Sequence, residues 1–128
     1  MRDFAIAAAF ALAATGAAAD PAHGTWQTAP DDNGNFGHIE MSACGAALCG
    51  VLVRAYDGAG KQVQSDRVGQ RIVWDMVAKG GGAYANGKVY APDRDKTYNS
   101  KMSLNGEFLK VEGCVLGICR GNTWKRVN

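Results

Sequence analysis

The sequence predicts an all-β fold: one eight-stranded antiparallel up-and-down barrel. The first observation is that short segments alternating apolar with polar residues recur through 20–128, separated by turn residues. The second is that no stretch carries the spacing of a long amphipathic helix. The third is the pair of Asn-Gly dipeptides, Asn33-Gly34 and Asn105-Gly106, which mark tight hairpin connections because both residue types tolerate positive φ. Eight antiparallel segments with no helix to cover a sheet edge lose both edges when the last segment pairs with the first. A small open sandwich is the competing arrangement and leaves edges exposed.

The first segment, 24–29, opens on Gly24-Thr25-Trp26, and Asn33-Gly34 turns the chain into the second, 35–43, where Ile39 and Met41 alternate with His38 and Glu40. The third, 49–56, carries Val51 and Val53 against Arg54; a long loop, 57–70, leads to the fourth, 71–78, with Ile72, Trp74 and Met76 on one parity and Asp75 on the other. Gly80-Gly81-Gly82 makes a corner before the fifth, 84–91. The sixth, 96–104, places Tyr98, Met102 and Leu104 opposite Lys101; Asn105-Gly106 reverses the chain into the seventh, 107–114, with Leu109 and Val111 against Lys110 and Glu112. The eighth, 120–127, sets Trp124 against Lys125. Charged residues thus fall outside and apolar residues inside, and the expected lining of any interior ligand site is Met41, Val53, Trp74, Met76, Tyr98, Met102 and Trp124.

Four cysteines occur as two equally spaced pairs, Cys44 with Cys49 and Cys114 with Cys119. A four-thiolate metal site, a redox pair and two covalent staples compete for them. Each pair brackets a hairpin, and successive turns of a closed meander alternate between its two rims, so the pairs sit at opposite ends. That separation is too great for one metal or for cross-pairing. A redox pair calls for a tighter Cys-x-x-Cys at a helix start, which is absent. The expectation is therefore two local disulfides, each stabilising by about 2 kcal/mol through the denatured chain.

Compartment agrees with oxidation. Residues 1–19 read as a secretory signal: Arg2, an apolar run from Phe4 to Ala14, then small residues ending Ala17-Ala18-Ala19. The run is too short to span a bilayer, which takes about 20 apolar residues. Residues 20–128 then form a single domain in a periplasmic or secreted protein, where disulfides persist.

Charge excludes some partners. The chain has 14 Lys and Arg against 12 Asp and Glu, a formal net charge of +2, and the basic residues are scattered. Nucleic acid would favour a concentrated basic stripe. No transmembrane segment is expected. The two ends of the mature chain belong together: Trp124 and Arg126 share a face of the last segment, so barrel closure would lay the Arg126 guanidinium across Trp26.

Further motifs carry a resemblance. Gly24-Thr25-Trp26 with a late arginine resembles the lipocalin and wider calycin pattern. The ordered set of G-T-W at 24–26, C-G-x-x-L-C-G at 44–50, Gly69 before Ile72-Val73, G-K-V-Y-A-P at 87–92, K-T-Y at 96–98 and a terminal G-C…C-R…T-W-K-R-V resembles a family of small exported bacterial proteins known as a domain of unknown function, with lipocalin-like barrels among its members. The likeness spans the mature chain and implies a Gram-negative periplasmic setting and no established reaction. Two positions depart from it. Asp95 stands where the family usually has glycine before K-T-Y, and Tyr84 replaces a common tryptophan.

Candidate chemistry is sparse. His38 and Glu40 share one strand face with no third ligand or nucleophile nearby, and read as a solvated face; His23 lies in an N-terminal tail expected to be mobile. The Asp93-Arg94-Asp95-Lys96 turn reads as a solvated loop tip flanked by Tyr90 and Tyr98. No catalytic residue, metal site or cofactor is expected, and an enzyme is not. Two functions compete: a barrel that binds a small apolar or amphipathic molecule, and a ligand-free structural or interaction module with an envelope protein partner. They divide on whether interior side chains fill the lumen.

Overall fold

Each alternating segment has one apolar face to bury, and the chain buries them all by rolling its sheet into a closed barrel. The structure, a computed structural model, describes residues 19–128. The expected signal, apart from Ala19, lies outside the described residues. The strands are β1 (Gly24–Gln27), β2 (Phe36–Cys44), β3 (Ala47–Tyr56), β4 (Gln62–Val63), β5 (Arg71–Gly80), β6 (Ala83–Ala91), β7 (Lys96–Asn105), β8 (Phe108–Val115) and β9 (Ile118–Arg126).

Pairing runs β2-β1-β9-β8-β7-β6-β5-β3, and β3 returns to β2, closing eight strands into an antiparallel barrel. The ninth, β4, is a two-residue addition that pairs with the end of β3 inside the long loop expected at 57–70. Trp26 opposite Arg126 and Gln27 opposite Lys125 zip β1 to β9; beyond them the Thr25 amide donates to the Asn128 carbonyl, and the Thr25 carbonyl accepts from the Val127 and Asn128 amides. Among the described residues there is no helix.

Both disulfides form within their hairpins, Cys44 with Cys49 across the β2–β3 turn and Cys114 with Cys119 across the β8–β9 turn. The β2–β3 turn shares one rim with the β5–β6 and β7–β8 turns, while the β8–β9 turn shares the other with the β1–β2, β3–β5 and β6–β7 loops.

The inward faces differ from simple alternation in three strands. On β6 a register shift between Tyr84 and Gly87, with Asn86 at φ 66°, turns both Tyr84 and Gly87 inward. On β3, Leu48, Gly50 and Leu52 pair with the inward positions Ala43, Met41 and Ile39, so Leu48 and Leu52, not Val51 and Val53, enter the core. A register shift between His38 and Ile39 admits Val53 as an extra residue and resets the parity. On β5, Asp75 takes φ 55° and the pairing with β3 shifts twice. Val73 consequently becomes fully buried, and Trp74, expected inside, turns out to a half-buried position 5.3 Å from the Arg71 guanidinium. The β7–β8 turn is centred one residue beyond expectation, on Gly106-Glu107, because Asn105 itself pairs with Phe108.

Candidate ligand-binding cavity

The two halves of the lumen are filled differently, and residue size explains why. Toward the β2–β3 end, Trp26, Met41, Met76, Tyr84, Met102 and Leu109 are buried and close the barrel. Gly50 and Gly87 lie beneath the Met41 and Met76 sulfurs, so the long thioethers lie flat on the sheet where a Cβ would collide. Toward the other end, inward positions hold Gly37, Ala55, Ala91 and Gly113. Small residues on opposed walls leave a cavity of about 1160 Å³ that opens at that rim. Eight-stranded barrels are wide enough either to be filled by side chains or to hold one small ligand; this one is filled in one half and hollow in the other.

The sealed end is tied by the segment that precedes β1. Arg126 donates from Nη1 to the His23 carbonyl at 2.9 Å and from Nη2 to the Pro21 carbonyl at 2.6 Å. Trp26 Nε1 donates to the Ala22 carbonyl at 2.9 Å. The Tyr84 hydroxyl donates to Asp20 Oδ1 at 2.6 Å, and burial together with that carboxylate pushes the phenol well above its ordinary range. His23 therefore belongs to an ordered strap across the closed end, not to the mobile tail expected of it.

Ile39, Leu52, Ile72, Val89, Val111 and Trp124 form the apolar walls and floor of the cavity. Of the seven residues expected to line a ligand site, Tyr98 and Trp124 do face the cavity. Met41, Met76 and Met102 pack below it in the sealed half, Val53 occupies the β3 bulge, and Trp74 lies outside the barrel. Alternation sets the inward parity of Tyr98, Met102 and Trp124 on β7 and β9 and is reset by the irregularities at Val53 and Trp74, whereas Met41, Met76 and Met102 point inward but lie in the filled half.

Polar groups gather at the mouth. Arg67 Nη1 donates to the Tyr90 hydroxyl at 3.0 Å and to Gln70 at 3.3 Å, and the Tyr90 hydroxyl donates to Asp95 at 2.6 Å. The turn before K-T-Y keeps its left-handed geometry without glycine: Asp95 takes φ 51°, and its carboxylate holds Tyr90 in place. On β9, Arg120 and Asn122, both solvent-exposed, line the open half of the cavity. They share the parity of Trp124, and that period-two spacing is the signal that marks them in the sequence.

The rim carries an exposed apolar hairpin. Val115, Leu116 and Ile118 are 53%, 97% and 65% exposed at the β8–β9 tip, beside the Cys114–Cys119 bridge.

His38 faces outward but is only 8% exposed, not the solvated position expected beside Glu40. Phe36 and Tyr56 stack at 4.9 Å beside it, Arg54 Nε donates to His38 Nδ1 at 3.2 Å, and Nε2 faces Gln27 Oε1 at 3.2 Å. Burial, then the Arg54 charge, lowers the His38 pKa. Among the described residues no group of three or more His, Cys, Asp or Glu is placed to hold a metal ion.

Residues 24–126 match the model of a family described as uncharacterized protein conserved in bacteria (DUF2147). Among solved structures, the chain is similar to protein HP1028 of the human pathogen Helicobacter pylori, described as belonging to the lipocalin family. The two share 18% identity with a TM-score of 0.66, over 83% of this chain and 82% of that one. At that identity the likeness concerns the fold, a lipocalin-like barrel. No curated protein sequence matches the chain.

Proposed function

The chain belongs to the DUF2147 family of bacterial proteins, and from that premise we propose that it is an exported carrier or sensor that takes one small apolar or amphipathic molecule into its barrel. The observation that carries this reading is the half-empty lumen: about 1160 Å³, walled by aliphatic and aromatic side chains, open at one rim and sealed at the other. Ligand pockets have volumes of roughly 300 to 1,000 Å³ and mostly apolar walls with a few polar groups, and this cavity is slightly larger. The solved lipocalin-family relative supports the architecture. Tyr98 and Trp124 are the sequence-derived lining residues that this reading retains.

Export to the periplasm or beyond is part of the proposal. It rests on the residue pattern of 1–19 and on two disulfides, which persist in oxidising compartments. The role proposed is binding, on the strength of the mostly apolar walls.

Native mass spectrometry of protein purified from its own host tests the reading. A retained small molecule of constant mass supports it; bare protein, with no melting shift across lipids, quinones and haem, overturns it.

A further inference from the structure

The lumen is not uniformly apolar, and its asymmetry specifies a ligand chemistry. In the eight-strand ring β9 stands across from β5. The β5 side of the cavity presents Ile72, flanked by Leu52 of β3 and Val89 of β6. The β9 side presents Arg120 and Asn122 at successive inward positions. Arg120 lies two residues below the rim residue Ile118, roughly 7 Å along the strand, and four residues above Trp124, roughly 14 Å.

Arg120 has no acidic partner within ion-pair distance among the described residues. Among the described residues the ion pairs are Lys110 with Glu112 and Arg126 with Glu107. Two of the carboxylates at the mouth are engaged elsewhere: Asp31 accepts the amides of Asn33 and Asn35, and Asp57 those of Ala59 and Lys61. Its neighbour across the ladder, Gly113, contributes no side chain, and Tyr98 packs over that glycine, where a Cβ would come 3.1 Å from it. An unpaired guanidinium over empty volume is suited to an anion it can bind through two parallel N–H donors.

We infer that the cavity binds an apolar molecule bearing one anionic group, a carboxylate or a phosphate, with Arg120 and Asn122 holding that group and the β3–β5–β6 wall holding the apolar body. This deepens the cavity-binding reading and rests on it. The anion is the selective element, because an apolar wall alone discriminates weakly between molecules of similar size whereas an unfilled charged donor rejects a neutral analogue.

Calorimetric titration of the full mature protein with laurate and with dodecanol tests the inference. Laurate should bind about tenfold to hundredfold more tightly than the alcohol, the range expected for a charge-assisted hydrogen bond. Arg120→Gln should abolish that preference at an unchanged melting temperature, and Arg120→Lys should restore part of it. Lauryl phosphate in a parallel arm distinguishes the two anions. Equal affinity for laurate and dodecanol, or a preference that survives Arg120→Gln, overturns the inference and leaves the cavity-binding reading intact. Failure of every apolar probe, dodecanol included, overturns both.

Discussion

The Arg126 guanidinium carbon lies 4.3 Å from the centroid of the Trp26 ring. These residues come from the last and first strands and are directly opposed in the β1–β9 ladder. The arginine therefore caps the indole that plugs the barrel and, through its bonds to Pro21 and His23, straps the preceding segment over the same end. Arg126→Ala removes a cation–π contact and two charged donors together. We expect a loss of about 3 kcal/mol in urea unfolding, with Arg126→Lys recovering less than half because a point charge lacks the planar fork. An alanine variant within about 0.5 kcal/mol of the parent would show that strand pairing alone closes the barrel.

His38 supplies a pH dependence. Its folded pKa is lowered by burial and by Arg54, so the unfolded chain takes up the proton first as pH falls. Stability contributed by neutral His38 is fully present above the unfolded value of about 6.5 and declines as pH drops below it. The melting temperature should therefore fall between about pH 7 and pH 5, and His38→Gln should flatten that slope. An unchanged slope in the variant would assign the dependence to other groups.

Leu116 is strained for a local reason. It and Gly117 occupy the two central positions of the β8–β9 turn with φ of 52° and 82°, the geometry of a type I′ hairpin, which favours Asn-Gly. A leucine with positive φ costs roughly 1 to 2 kcal/mol, and its side chain is almost wholly exposed. Leu116→Asn should raise stability by about 1 kcal/mol. No gain on thermal unfolding would mean that the leucine makes compensating contacts.

Gly121 lies between Arg120 and Asn122, where a Cβ would overlap the Val111 carbonyl oxygen and come 2.7 Å from the Glu112 Cα. Both obstacles are backbone, so relief requires β8 to move. Gly121→Ala should cost about 3 kcal/mol, at the upper end of overpacking penalties, and should be read by denaturant midpoint. A cost below about 1 kcal/mol would show that β8 and β9 slide apart easily.

Local alternation carries the barrel, the closing pair and both disulfides, because each depends on spacings within or between neighbouring strands. Trp124, Tyr98 and Ile39 are placed correctly by period two for that reason. Val53 and Trp74 are misplaced because a bulge is a one-residue event: the shift at His38/Ile39 and the positive φ of Asp75 change parity while leaving composition untouched. The hollow upper half is harder still to read. Gly37 faces Ala55 across β2 and β3, while Gly113 and Ala91 come from strands far along the chain, and only the closed register shows that the small residues fall in the same half. Arg120 needs that register as well, since its unpaired state depends on which carboxylates come near it.

If the hollow half is a binding site, filling it should remove binding without unfolding the barrel. Ala55 offers the position: it lines the cavity near the mouth, opposite Gly37, where the facing residue contributes no side chain. Ala55→Phe projects a ring into existing space, so the overpacking that penalises enlarged core residues is absent and added apolar burial favours the fold. The expected result is a melting temperature equal to or above that of the parent, together with at least a tenfold loss of affinity for any molecule that co-purifies with the parent protein. A variant that melts normally and binds as tightly as the parent would place the ligand elsewhere, and attention would pass to the exposed Val115–Ile118 tip as a surface for a protein partner.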